Sequence, residues 1–448
     1  MTLIDMRPLD SPLLPSASLA AAIKTNRRNV IMLGVAFFFV FASFNSSQNL
    51  VTTLLPEGYG FVSLCIIYAT VCATKALAPL ILNHVRGSWA MGGAALFYAA
   101  YVGSLISLDQ WAIYVCSALL GAGASVLWTA QGAYLTSLST DQMRSENAGL
   151  FWSIFSVSGI VGNLISFVYL HFFPDSDQRY LMGGFTAIGL VGAVLLALLR
   201  KPTPMVTDDG TDALDALKMA DGVPTSIQTP LRGGGDDEKP LAGLGGLLSL
   251  LRKRQFWLLL PLNLLVGAEL SFNVGAFPTL LPDRTFIGLV MMCTGVASVI
   301  GGALWGRAST KMDRRIVLTI GVFVYMAGLI AAWLFHMAVV GEFPEFAPAV
   351  PYVPYVIAFA LALGDTCFNV NYIGTTGTAF DKRHATMAFA AFQFFQSAGA
   401  ASVFLLGHFF PVAGVGGSLV VPITVGAVAL VALVAFMFAP LTVVPQKR

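Results

Sequence analysis

The chain has 448 residues, 56% of them hydrophobic and only 11% charged, with a formal net charge of +2 and a mean hydropathy of +0.77. This balance excludes an ordinary soluble domain, and the absence of a basic patch interleaved with aromatics argues against a nucleic-acid partner. What remains is an all-α integral membrane protein whose main partner is the lipid bilayer.

Residues 1–28 read as a tail. They lack the charged start, short apolar run and small-residue cleavage site of a removable leader. Within them DSPLL, Asp10 to Leu14, resembles an acidic dileucine sorting signal, which would direct the protein to endosomal or lysosomal membranes rather than leave it in the plasma membrane. A bilayer core requires about 20 predominantly apolar residues per helix. Twelve such segments follow, starting near Val30, Phe61, Trp89, Trp111, Ala148, Tyr180, Phe256, Thr285, Ile316, Val353, Ala385 and Ser418. With a cytoplasmic N-terminus, 22 of the 25 Lys and Arg residues fall on the inner side; the other three are Arg179 and Arg284 in outer loops and Lys75 within a span. The excess of basic residues in inner loops therefore predicts that both termini are cytoplasmic. The sequon Asn45-Ser46-Ser47 lies inside the first span, beyond the reach of glycosylation.

Between residues 201 and 254 the composition shifts to Asp, Gly, Pro and Thr, as in TDDGTDALDALKMADG and RGGGDDEKP. Such a stretch cannot bury a core, so it is predicted to be a flexible cytoplasmic linker between bundles at 29–200 and 255–441, with 442–448 a second tail. Its last part, LAGLGGLLSLLRKRQFW, is read as an anchor at the inner leaflet.

The two bundles are repeats. ASFNSSQNLVTTLLP, Ala42 to Pro56, aligns with AELSFNVGAFPTLLP, Ala268 to Pro282, and FVSLCIIYATV from Phe61 aligns with FIGLVMMCTGV from Phe286. Weaker matches join GASVLWTAQG from Gly123 to GDTCFNVNYIG from Gly364, and FWSIFSVSG from Phe151 to AFQFFQSAG from Ala391. Matched segments at a nearly constant offset are what a duplication leaves. Two parallel repeats of six helices resemble the major facilitator architecture, which implies that helices 1, 4, 7 and 10 line a central cavity and helices 3, 6, 9 and 12 face lipid.

The polar residues within the spans follow that layout. Helix 1 carries Asn45, Gln48 and Asn49 at i, i+3 and i+4, on one face, extended by Thr52. Helix 4 carries Trp128 and Gln131; helix 7 carries Glu269 and Asn273; helix 10 carries Asp365 and Asn369. Within the membrane a carboxylate is costly and marks a functional site by default. Glu269 and Asp365 are thus candidates for taking and releasing a proton or binding a cation. Lys75 is a third charge, with pairing to a carboxylate and snorkelling to the cytoplasm both open to it. The amide stripe suits either solute binding or bonds to other helices. Trp128 suits either a cavity wall or a stacking surface for a solute. Gln393 and Gln396 on helix 11 are read as packing groups. The five cysteines lie in apolar segments without CxxC spacing, and no metal-ligand cluster, cofactor loop or nucleophile-and-base set stands out, so neither a cofactor nor an enzyme is expected.

VLWTAQGAYL from Val126, GAELSFNVG from Gly267, ALGDTCFN from Ala362 and FAAFQFFQS from Phe389 resemble signature stretches of the Unc-93-like family of the major facilitator superfamily, in particular its orphan transporter-like members. The resemblance implies two alternatives. Transporter-like members suggest a solute moving through the central cavity with a proton or cation. The founding type, a regulatory partner of a potassium channel, and a branch that escorts immune receptors suggest a membrane-protein partner instead. One departure bears on gating: in GALWGRASTK, Gly302 to Lys311, Gly306 and Ser309 replace the Asp and Gly of the facilitators' loop signature, and the counterpart around Asn83 is more degraded still.

Overall fold

The computed structural model describes residues 16–55, 58–139, 143–203, 248–281, 283–339, 352–380, 382–410 and 415–441. All regular structure among them is helical. In chain order the main helices are α1 (Ser16–Leu54), α2 (Tyr59–Thr74), α3 (Gly87–Ser107), α4 (Gln110–Ser137), α5 (Arg144–Phe172) and α6 (Gln178–Ala197). They continue with α7 (Arg254–Ser271), α8 (Ile287–Lys311), α9 (Arg314–Val339), α10 (Val353–Ala379), α11 (Lys382–Phe409) and α12 (Val415–Met437). The dileucine-like Asp10–Leu14 and most of the interval 201–254 lie outside the described residues.

Two of these differ from the spans expected. Helix α1 starts at Ser16 rather than near Val30, because the run from Ser16 through Arg28 offers no helix breaker. The second span is interrupted. After 16 residues α2 gives way to a tighter turn at Lys75–Leu77 and a short helix, Ala78–Leu82. Pro79 accounts for the break, having no backbone N–H to offer the Lys75 carbonyl. Among the described residues, eleven helices are thus long and apolar enough to cross a membrane by themselves, and α2 is the shorter twelfth. Helix α7 is modified differently: it runs into a π-helical turn, Phe272–Ala276, in which the Phe277 N–H reaches back to the Phe272 carbonyl just before Pro278.

The packing repeats as the sequence does. In the first half α1 packs on α5 and α6, and α4 on α2 and α3, with α3 also against α6. In the second half α7 packs on α11 and α12, and α10 on α8 and α9, with α9 also against α12. The halves meet along two matching seams, α2 with α11 and α5 with α8. Small residues make the close approaches: a Cβ on Gly288 would strike the Asn163 carbonyl of α5, and one on Gly267 the Gln396 carbonyl of α11. Where α1 ends, further contacts tie the halves together. Thr52 Oγ1 donates to the Gly275 carbonyl at 2.9 Å, and Tyr68 stacks on Phe404 with centroids 5.4 Å apart.

A carboxyl pair between α7 and α10

The most concentrated polar cluster in the second half lies where α7 and α10 cross. Glu269 is 1% exposed. One helical turn on, Asn273 donates from Nδ2 to Glu269 Oε2 at 2.7 Å, and Tyr325 of α9 donates its hydroxyl proton to Asn273 Oδ1 at 3.2 Å. On α10, Asn369 Nδ2 donates to Asp365 Oδ1 at 2.6 Å and to the Asp365 carbonyl at 3.1 Å. The carboxyls of Glu269 and Asp365 are close enough to interact directly across the crossing. The result is a chain across three helices: Tyr325, Asn273, Glu269, Asp365, Asn369.

Its chemistry follows from donor and acceptor counting. An ionised carboxylate only accepts, so a hydrogen bond between two carboxyls requires a proton on one of them. Two like charges in contact away from water are mutually unfavourable, and sharing one proton relieves this. Each carboxyl is held from its far side by an amide one turn away, which fixes its orientation. The π-helical turn starts three residues beyond Glu269 and includes Asn273, a distortion of the kind that recurs at functional sites.

The other candidate residues are distributed less simply. Gln48 and Asn49 are buried, but adjacent positions on a helix point about 100° apart. Gln48 Nε2 accordingly donates to the Tyr68 hydroxyl of α2 at 3.3 Å, and Asn49 Nδ2 to Asn163 Oδ1 of α5 at 3.1 Å. Asn45 is half-buried and Gln131 buried. Trp128 joins an aromatic cluster with Phe37, Phe41, Phe155 and Trp152, stacking on the last at 5.9 Å, and its indole lies beside Tyr98. Lys75 stands half-buried at the break in α2 and is in neither of the ion pairs formed among the described residues, Arg27–Glu146 and Arg179–Asp177. The fold thus gathers Glu269, Asn273, Asp365 and Asn369 but leaves Lys75 apart from them. Gln396 is half-buried on α11, and Gln393 is exposed.

Tyr325 is not among the residues expected from the sequence, because the facilitator architecture places helix 9 against lipid. The signal was present, since a tyrosine hydroxyl in an apolar span needs a partner, and Tyr325 is fully buried. Asn163, the partner of Asn49, is not among them either.

Taken together, the fold and site define a multi-pass membrane protein of the major facilitator type. A crystal structure of the nucleoside transporter NupG superposes with a TM-score of 0.62, covering 91% of this chain and 99% of that one at 12% identity. The family model described as "Ion channel regulatory protein UNC-93" matches residues 54–437, so the chain belongs to the UNC-93 family. Similar relatives are the UNC93-like protein MFSD11 of Xenopus tropicalis, 30% identical over 414 residues with 85% of this chain and 90% of the relative covered, and protein unc-93 homolog A of Bos taurus, 26% identical over 422 residues with 84% and 86% covered.

Proposed function

We propose that the protein is a secondary transporter of a small solute, coupled to a proton or cation at Glu269 and Asp365. The observation that carries this reading is the buried carboxyl pair on α7 and α10. A packing role needs only one hydrogen bond per group, whereas two facing carboxyls retain a charge that changes when a proton or cation arrives. The bundles 29–200 and 255–441 are the bodies that move, with 201–254 joining them on the cytoplasmic side. Asn45, Gln48, Asn49, Trp128, Gln131, Asn273 and Asn369 supply solute contacts, reached when the seams open and their present partners are exchanged. With both termini cytoplasmic, the contacts of Thr52 with Gly275 and Tyr68 with Phe404 close the outer end. Lys75 acts at the inner end, outside the coupling pair.

The test is the thermal stability of the purified chain against a panel of metabolites and ions at two pH values, since a ligand bound only by the folded form must stabilise it. A stabilising solute whose effect depends on pH and disappears in Asp365→Asn is the expected result. A solute that stabilises wild type and Asp365→Asn equally at both pH values would contradict the coupling role.

A second reading rests on the family description. As a regulatory subunit of an ion channel, or an escort of another membrane protein, the chain would use its outer helices or the linker, and the polar cluster would hold the bundle together. A channel or receptor co-purifying in mild detergent, lost on outer-face but not on cavity substitutions, favours it. Retention through every outer-face change would contradict it.

A further inference from the structure

A second polar site lies far from the carboxyl pair, at the end of the first half where α6 finishes and α2 turns into α3. A pocket of about 80 Å³ is lined there by Arg86, Ser88, Tyr134, Ser137, Arg200 and Lys201, among others. That is room for several waters, since one needs only about 10–15 Å³. Three of the lining residues are cations, and none is acidic.

Two independent features point to an anion. The first is helix α3, 21 residues long, which begins at the pocket with Arg86 as its N-cap and no side chain capping it. The first backbone N–H to be used within the helix is that of Ala90, bonded to the Arg86 carbonyl at 2.9 Å. The N–H groups of Gly87, Ser88 and Trp89 precede it and carry the positive end of the helix dipole. The second is Ser88, which is 3% exposed and whose hydroxyl has no hydrogen-bond partner although it borders the pocket. A buried hydroxyl left without a partner is unfavourable and uncommon. The Arg86 guanidinium and the backbone at Arg200 are also held in place. Arg86 donates to the Leu199 carbonyl at 3.0 Å, and the Tyr134 hydroxyl donates to the Arg200 carbonyl at 2.6 Å.

The repeat supplies an internal control. In the second half Arg315 of α9 donates to the Ala439 carbonyl at 3.0 Å and Thr378 of α10 to the Leu441 carbonyl at 2.8 Å, so α9 and α10 tie down the segment after α12 much as α3 and α4 tie down the segment after α6. There, however, the Arg314 guanidinium lies against Gly374, in space that a Cβ at Gly374 would contest. An arginine thus packs against α10 in the second half, whereas a pocket lies beside α4 in the first.

We propose that this pocket binds a phosphate monoester, with its terminal oxygens taken by Ser88, the first N–H groups of α3 and the guanidiniums of Arg86 and Arg200. Leu80, Ile81 and Trp89 are exposed beside it, as residues facing acyl chains and headgroups would be. The headgroup of a lipid such as phosphatidic acid is therefore the source the surroundings favour, and a free phosphate compound is the alternative source of the same chemistry. The site does not depend on the carboxyl pair and stands if the transport reading fails.

The full chain in phosphatidylcholine nanodiscs tests this, with thermal stability followed as phosphatidic acid, phosphatidylserine or inorganic phosphate is added. Phosphatidic acid should stabilise the protein more than phosphatidylserine does. Arg86→Gln should weaken the effect about tenfold or more, as expected for loss of a charge-assisted hydrogen bond. Ser88→Val, which leaves the charge unchanged and fills the pocket, should abolish it, so the test survives if Arg86→Gln fails to fold. Stabilisation by inorganic phosphate as well, removed by the same variants, would assign the site to free phosphate compounds. Equal responses to phosphatidylserine and phosphatidic acid, or responses untouched by Ser88→Val, would overturn the proposal.

Discussion

The two halves share a helix plan but fill their centres in opposite ways. At the α1–α4 crossing of the first half the residues matched to Glu269, Asp365 and Asn369 are Ser43, Ala124 and Trp128. There Phe37, Phe41, Phe151, Phe155 and Trp128 pack edge and face with centroids between 5.1 and 6.4 Å. At the α7–α10 crossing of the second half the same positions hold a carboxyl pair clamped by two amides. Duplication supplied one scaffold, and divergence made one half a packed body and the other the bearer of charge. Each crossing can be altered without touching the other, so the comparison is open to experiment.

The largest expected effect is functional. Asp365→Asn or Glu269→Gln should abolish pH-dependent ligand stabilisation while the protein still folds, because an amide can complete the hydrogen-bond chain without a charge. Unchanged pH dependence in both variants would remove the distinction drawn between the halves. Next comes Phe37→Ala, which should lower stability by about 3–5 kcal/mol, as for other buried aromatics, and leave the pH dependence intact; chemical denaturation in detergent measures the first and ligand titration the second. Gly267→Leu should cost about 1–3 kcal/mol or more by overpacking α7 against α11, whereas Gly306→Ala, with open space around its Cα, should be silent. Smallest is Tyr325→Phe. It removes one interhelical hydrogen bond, worth about 0.6 kcal/mol in a membrane, and a loss of several kcal/mol would mean that the hydroxyl does more than orient Asn273.

Much of this was legible in the sequence, for particular reasons. Lipid demands long apolar helices, so span positions and the duplication could be read directly. The i, i+4 pairs Glu269–Asn273 and Asp365–Asn369 are local, and helical spacing alone predicts that each amide reaches its carboxylate. That the two pairs meet is a tertiary fact and could not be read. The seams α2–α11 and α5–α8 are likewise properties of packing, as are Asn163 opposite Asn49 and Tyr325 beneath Asn273. The break in α2 was readable from Pro79 but is masked by the apolar run on either side of it. The π-helical turn before Pro278 leaves little trace in composition, since Phe, Asn, Val, Gly and Ala continue an ordinary helix pattern. The basic pocket is not legible in the sequence, because Arg86, Arg200 and Lys201 lie on two segments far apart in the chain, where each reads only as an inner-loop cation.

Infrared difference spectroscopy of the reconstituted protein across a pH titration tests, without knowledge of the solute, whether Glu269 and Asp365 share a proton that can be exchanged. A protonated-carboxyl band that titrates in the wild type and is lost in both Asp365→Asn and Glu269→Gln is the predicted result. A band absent at every pH, or one that persists unchanged in both variants, would contradict the account.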